Sequence, residues 1–399
     1  MRDLKIFTKN IEDKAKEQID LLLEQEPFKN CKIRIMPDVH AGAGCVIGFT
    51  GNLGDKVIPN IVGVDIGCGM LCVELGDIDL DLKELDKTIR EYIPNGMNVH
   101  NDIPIPVFFL GHLKCYKELK NKDNWLEKSM GTLGGGNHFI EIDIDEENNK
   151  YLVIHTGSRN LGKQVAEIYQ NKAIEYCSYE KEMQEEKQKV IKEYKEQGKE
   201  KEIQQALTEI NKKYEGKTKL PKDLCYLEGE LREDYLHDME ICQQFATFNR
   251  ETIAGEIIAR MGLMLCVENH FHTTHNYIDF RDNIVRKGAI SARKGERVLI
   301  PMNMRDGCII GIGKGNDDWN QSAPHGAGRI MSRLKAKEVF NIDEFKQSME
   351  GIYTTSVSED TLDEAPMVYK PMQEIIDCIG DTIEISKIIK PIYNFKANE

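Results

Sequence analysis

Short apolar runs bounded by glycine dominate three stretches of the chain, residues 30 to 75, 105 to 160 and 265 to 312, and read as buried strands. Helical spacing dominates the remainder. From 178 to about 215 the chain is rich in Lys, Glu and Gln, and Val190, Ile191 and Tyr194, then Ile203, Leu207, Ile210 and Tyr214, recur at helical intervals on either side of Gly198. This predicts an α-hairpin with a narrow apolar stripe, inserted over 178–222, with residues 216–221 as the hinge back to the body. Its plain reading is a solvated structural insert, and its sharper one an arm that contacts RNA or a partner.

The strand-like runs end on chemistry. Ile61, Val62 and Val64 predict a buried strand feeding the turn Val62-Gly63-Val64-Asp65-Ile66-Gly67-Cys68-Gly69-Met70, whose glycines let the backbone approach a ligand. Asp65 and Cys68 could then face one divalent ion, with the sulfur bridging a second; a structural Cys beside a turn Asp is the alternative. Three later segments each bring a histidine to a strand end: Leu133-Gly134-Gly135-Gly136-Asn137-His138-Phe139-Ile140-Glu141, Val153-Ile154-His155-Thr156-Gly157-Ser158-Arg159 and Thr273-Thr274-His275-Asn276-Tyr277. Any one of them alone reads as a satisfied core histidine. Together Asp65, Cys68, His138, His155 and His275 supply enough ligands for two adjacent ions.

Ser322-Ala323-Pro324-His325-Gly326-Ala327-Gly328-Arg329 puts a fourth imidazole at the head of a glycine turn, with a helix expected through Ile330, Met331, Leu334 and Ala336. Backbone N–H groups there suit phosphate oxygens, and Arg329 and Arg333 add charge one helical turn apart. An imidazole is substantially neutral at pH 7, so His325 could attack a phosphate once its tautomer is fixed; a structural histidine is the other reading. Gly311-Ile312-Gly313-Lys314-Gly315-Asn316 lacks P-loop spacing and reads as a turn.

With 399 residues and 40% hydrophobic content the chain can bury a large core. No apolar run approaches the roughly 20 residues that span a bilayer, and Met1-Arg2-Asp3-Leu4-Lys5 lacks a signal-peptide core. The 11 cysteines are scattered, odd in number and without a CxxC pair, so free thiols in a reducing, cytoplasmic compartment are expected. A net charge of −14 argues against a nucleic-acid partner if read globally, yet phosphate contacts act locally. Arg159, Lys163, Arg286, Lys287, Arg293, Arg329 and Arg333 lie in or beside the site motifs and could form a basic entrance; surface ion pairs are their plainer fate.

Six motifs in order, Met36-Pro37-Asp38-Val39-His40, the Val-Asp-Ile-Gly-Cys-Gly-Met turn, Gly-Gly-Asn-His-Phe-Ile-Glu, His-Thr-Gly-Ser-Arg, Arg286-Lys287-Gly288-Ala289 and His-Gly-Ala-Gly-Arg, resemble RtcB-type RNA ligases from about residue 30 to Lys396. The resemblance implies an α+β fold, a mixed β-sheet core with surrounding helices and the inserted α-hairpin, forming one catalytic domain over 1–399. It implies an enzyme, dependent on two manganese ions and GTP, that joins RNA 2′,3′-cyclic phosphate or 3′-phosphate ends to 5′-hydroxyl ends through a guanylated histidine, in RNA splicing or repair. It leaves room for an activating or repair partner protein.

Carried over by position, Asp65, Cys68 and His138 resemble the ligands of one manganese and Cys68, His155 and His275 those of the other; zinc would suit the same donors. His325 matches the residue that takes GMP. Asn137, His138, Phe139, Ile140, Glu141, His275, Asn276, Pro301, Met302, Asn303, Met304, Cys308, His325, Gly326, Ala327, Gly328, Tyr369 and Lys396 match the GTP site, with Glu141 and Lys396 at the base and Tyr369 packing on the nucleotide. Arg159, Arg286 and Arg329 are the RNA-contact candidates. Asp38 and His40 are expected to orient the metal-bound imidazoles. Pro301-Met302-Asn303-Met304-Arg305-Asp306-Gly307-Cys308 departs from the family's Pro-Gly-Ser-Met-Gly and following serine, with Asn303 and Cys308 replacing two serines and Arg305 adding charge near the phosphates. That departure motivates a second reading, a metal-dependent RNA-end cyclic phosphodiesterase without ligation; a non-catalytic RNA-end binding protein is the third.

Overall fold

In the computed structural model, which describes residues 3–263 and 269–397, the site is carried by the end of one large antiparallel sheet. Its strands run in the order Arg297–Asn303, Gly307–Gly313, Ile383–Lys396, Phe139–Ile144, Lys150–Thr156, Gly69–Gly76 and His270–Thr274, with Tyr353–Thr354 added in parallel to Ile383–Lys396. The two ends of this order meet again, Thr273 Oγ1 donating to Leu299 O at 3.4 Å, so the sheet is nearly closed into a barrel. Alternation along each strand sorts the side chains. Met70, Cys72, Phe139, Val153, Leu299, Cys308, Ile310 and Ile389 form an inner core, while Leu71, Val73, Ile140, Ile142, Leu152 and Ile154 point outward onto Leu85 and Ile89 of the helix Leu82–Tyr92 and Ile253 and Ile257 of the long helix Gly229–Arg260.

A second sheet, Asp3–Ile6, Lys32–His40, Ile47–Asn52, Ile284–Lys287 and Asn276–Asp279, is mixed, its first pair parallel and the rest antiparallel. It brings Asp38 and His40 to the mouth of the large sheet. Helices Glu180–Glu196 and Ile203–Tyr214 form the hairpin over 178–222, burying little beyond Ile210. Among the described residues no helix is long and apolar enough to cross a membrane.

Several local expectations fail for identifiable reasons. The residues before the metal-type turn form a short helix, Pro59–Val62, and Val64 is half-exposed; Pro59 starts the helix and Gly63, at φ 93°, ends it, so the strand follows the turn rather than feeding it. A four-residue apolar run does not by itself distinguish the two. Strands within 105–160 are confined to Phe139–Ile144 and Lys150–Thr156, the earlier part being short helical turns. The helix after His325 begins only at Arg333, capped by Ser332, whose side chain accepts from Lys335 N; Ile330 lies before it and is exposed. Gly311 and Gly313 belong to a strand rather than to a turn. Residues 265–268, the start of the third strand-like stretch, lie outside the described residues.

Candidate active site

Sheet register brings the ligand-bearing segments together. Gly69 pairs with both Thr156 and Thr274, Met70 with His155, and Phe139 with both His155 and Lys396, so Cys68, His138, His155 and His275 emerge at the same end of neighbouring strands. Cys68 Sγ lies 3.2 Å from His155 Nε2 and 3.5 Å from His138 Nε2. His138 Nε2 is 3.0 Å from Asp65 Oδ2, and His155 Nε2 is 3.3 Å from His275 Nε2. Two three-ligand groups, Asp65/Cys68/His138 and Cys68/His155/His275, therefore share one sulfur.

These donors fit a pair of divalent ions. Ligands about 2.0–2.3 Å from a tetrahedral ion stand roughly 3.3–3.7 Å from one another, close to the spacings here. His138 Nδ1 faces Leu133 O at 2.9 Å and His155 Nδ1 faces Asn137 O at 3.1 Å. A carbonyl only accepts, so each Nδ1 carries a proton and Nε2 is the ring atom that faces the cluster and would meet an ion there. Burial and neighbouring His138 pull the His155 imidazole well down, and burial and His325 do the same to His275, which keeps both neutral. Burial raises Asp65, but its hydrogen bond to His138 and the charge there outweigh that and hold it at about 2. Burial and the Asp65 carboxylate push the Cys68 thiol well up, so a thiolate there calls for a cation. Gly157 lies flush against this cluster, where a Cβ would collide with Asp65 Oδ1. Buried Arg250 ties the loops down, donating at 2.9 Å to both Gly67 O and Thr156 O.

His325 follows the short strand Ser322–Pro324, its ring centroid 4.8 Å from that of His275. Its Nδ1 meets Asp38 Oδ2 at 2.6 Å, and the same oxygen accepts from His325 N at 3.1 Å and Gly326 N at 3.3 Å. Nδ1 thus carries a proton, and Nε2 is the ring nitrogen that Asp38 leaves unengaged. Asp38 therefore orients His325 and not the metal-type imidazoles, of which His138 and His155 are held by backbone carbonyls while the buried Nδ1 of His275 has no hydrogen-bond partner among the described residues; His40 Nδ1 is engaged by Asp38 O at 2.9 Å. Gly328, at φ 75°, packs on Asp38 so closely that a Cβ would overlap its carbonyl.

A cavity of about 690 Å³ opens beside these groups. Of the residues matched to the GTP site, Asn137, Phe139, Glu141, His275, Asn276, Pro301, Met302, Asn303, Met304, His325, Gly326, Ala327, Gly328, Tyr369 and Lys396 line it. Ile140 does not: strand alternation turns its side chain into the outer core. Cys308 sits behind the wall, its Sγ 3.9 Å from Glu141 Oε1, and His138 faces Asp65 and Cys68. Asn303 is held by a turn, its Oδ1 accepting from Arg305 N and Asp306 N and its Nδ2 donating to Asp306; Arg305 pairs with Asp306 at 2.8 Å instead of standing free for phosphates.

Three groups that motif reading passed over support this wall. Glu364, buried, receives Lys396 Nζ and Tyr369 Oη at 2.6 Å each and Arg329 Nη1 at 3.2 Å. Asn394 Nδ2 donates to Glu141 Oε2 at 2.6 Å. Asp143 lies one strand repeat from Glu141, grouped with it and Cys308; burial, then Asp143, raises Glu141, and burial raises Asp143 to about 6. Only alternation from Glu141 could have pointed to Asp143.

The basic entrance is largely absent. Arg286 is fully buried, 2.6 Å from Asp279, and so is no RNA contact; Arg293 pairs with Asp282 at 2.6 Å, and buried Lys287 donates to Ala43 O and Asn60 O. Arg159 donates to Thr132 Oγ1 and Gly96 O, while Arg329 lines the cavity, though paired with Glu364. Arg286 and Arg293 are engaged by carboxylates 7 and 11 residues away, and Lys287, Arg159 and Arg329 by groups farther along the chain.

The model of the family described as tRNA-splicing ligase RtcB matches residues 23–109 and 110–397. The chain is similar to the RNA-splicing ligase RtcB of Escherichia coli strain K12, 29% identical over 99% of this chain and 97% of that protein. It is also similar to the tRNA-splicing ligases RtcB of Nanoarchaeum equitans and Archaeoglobus fulgidus, each 26% identical over 89% of this chain and 85% of the relative. With the family model covering nearly all of it, the chain belongs to the RtcB family of RNA-splicing ligases.

Proposed function

We propose that this chain joins RNA 2′,3′-cyclic phosphate or 3′-phosphate ends to 5′-hydroxyl ends at the expense of GTP, with His325 as the guanylated residue. The observation that carries this reading is the Asp38–His325 pair: a 2.6 Å contact engages Nδ1 and leaves Nε2 as the ring nitrogen positioned to attack beside the cavity. Nε2 attacks the α-phosphorus of GTP, the bond to the β-phosphate breaks, and pyrophosphate leaves. A 3′-phosphate oxygen then displaces His325 from that phosphorus, and the RNA 5′-hydroxyl attacks the activated end with loss of GMP and a proton. A cyclic end is hydrolysed first. Two manganese ions, held by Asp65/Cys68/His138 and Cys68/His155/His275, would supply positive charge against the phosphates.

The base half of the cavity suits guanine, since Glu141 presents a carboxyl acceptor for the N1 and N2 edge and Lys396, anchored by Glu364, lies beside it. The free thiols of the described cysteines accord with a reducing, cytoplasmic setting. Ligation of a cyclic-phosphate RNA and opening of that phosphate, measured side by side in wild type and His325→Ala, test the reading. Loss of ligation with cyclic-phosphate opening retained supports it, and ligation that survives the substitution overturns it. A wild type that opens the ring but never ligates selects the phosphodiesterase alternative.

A further inference from the structure

On the outer face of the large sheet, away from the His325 cavity, His270 and His272 project from the strand His270–Thr274 towards Glu251 of the helix Gly229–Arg260. Residues i and i+2 of a strand share a face, and the two rings stand 6.1 Å apart at 85°. One ligand atom from each of the three residues lies within 4.8 Å of the others. We propose that Glu251, His270 and His272 form a third metal site, specific for a borderline divalent ion of the zinc class.

Three features carry this assignment. His272 Nε2 is buried and lies 3.3 Å from Glu251 Oε1, yet makes no hydrogen bond, so a buried, unsatisfied ring nitrogen faces an exposed carboxylate. A cation between them satisfies the buried nitrogen. Burial, with Arg250 and His270 nearby, pulls the His272 imidazole down to about 3, so the ring is neutral at physiological pH and cannot act as the cationic half of an ion pair with Glu251. Two imidazoles and one carboxylate favour zinc, cobalt or nickel over the harder manganese.

Occupancy has a definable structural cost. Coordination through Nε2 puts the proton of His272 on Nδ1, which now receives Arg250 Nε at 3.4 Å, so that long contact is lost. Arg250 keeps its bonds to Gly67 O and Thr156 O. The ligand atoms already lie within 4.8 Å of one another, and any closing to coordination spacing falls to Glu251 and His270, both exposed.

The test is zinc stoichiometry by equilibrium dialysis and elemental mass spectrometry on chelator-stripped full-length protein, comparing wild type with Glu251→Gln and His270→Gln/His272→Gln. The site predicts one fewer zinc ion per chain in the double variant, weaker binding of that ion in Glu251→Gln, and unchanged occupancy of the ions held around Cys68. Equal zinc content and affinity in all three proteins overturns it. Should the double variant fail to fold, zinc-edge anomalous diffraction from wild-type crystals decides: a peak between the three side chains supports the site, and peaks only around Cys68 overturn it. Neither measurement depends on guanylation, so the ligase reading stands or falls separately.

Discussion

Replacing Asp38 should slow the formation of the nucleotidyl-histidine while leaving the metal-type ligands untouched. Asp38 Oδ2 receives His325 Nδ1 at 2.6 Å and the amides of His325 and Gly326 at 3.1 and 3.3 Å. In Asp38→Asn the two amides favour the side-chain oxygen at this place, which keeps the Nδ1 proton and loses only the charge. A hydrogen bond to a charged group contributes about 1.5–3 kcal/mol, hence a loss of roughly 10- to 150-fold in guanylation rate. Asp38→Ala removes the tautomer lock altogether, and the loss should approach the roughly 10⁴-fold that follows when a catalytic imidazole takes the wrong tautomer. Single-turnover guanylation by rapid quench, with manganese content and thermal unfolding as controls, measures both. If the two variants guanylate within about threefold of wild type at unchanged metal content, the assignment of Asp38 to His325 is wrong.

Cys68→Ser should lower manganese content for both ions, whereas His275→Ala should spare the Asp65/Cys68/His138 group; elemental analysis after dialysis distinguishes them, and equal losses would refute a shared sulfur. Arg286→Met leaves Asp279 buried with only Arg293 beside it, so destabilisation of about 3 kcal/mol or more is expected in urea unfolding; weakened RNA binding at unchanged stability would instead restore Arg286 as an RNA contact. Burial raises the Glu364 carboxyl, but Lys396, Arg333 and Arg329 outweigh it and lower it from 4.5 to about 2, so its ionised form stabilises the fold above about pH 4.5 and that increment is lost as pH falls towards about 2. The stability gap between wild type and Glu364→Gln should therefore narrow across that window, and a gap independent of pH would contradict the pairing.

Much of the site could be read from the chain because its donors sit in short, glycine-marked motifs at strand ends: Asp65 and Cys68 share a turn, and His138, His155 and His275 each close a recognisable run. Their convergence depends on strand order, which spacing along the chain does not encode. What stayed illegible depended on long-range pairing. Asp38 meets His325 across 287 positions, and Glu364 becomes the anchor for Lys396 only when the final strand is laid against Phe139–Ile144. Arg286 reads as available for phosphate because its spacing from Asp279 does not show that the two strands of their hairpin pair and bury both side chains together. Ile61 and Val62 read as strand rather than as the end of the Pro59–Val62 helix because the apolar run is shorter than either periodicity needs.

The most direct test of the central claim is the intact mass of the protein after incubation with manganese and GTP, wild type against His325→Ala. The account predicts a gain equal to one GMP, acid-labile and absent from the variant. No adduct in wild-type protein shown to contain manganese and no zinc, or an adduct that persists in His325→Ala, would contradict it.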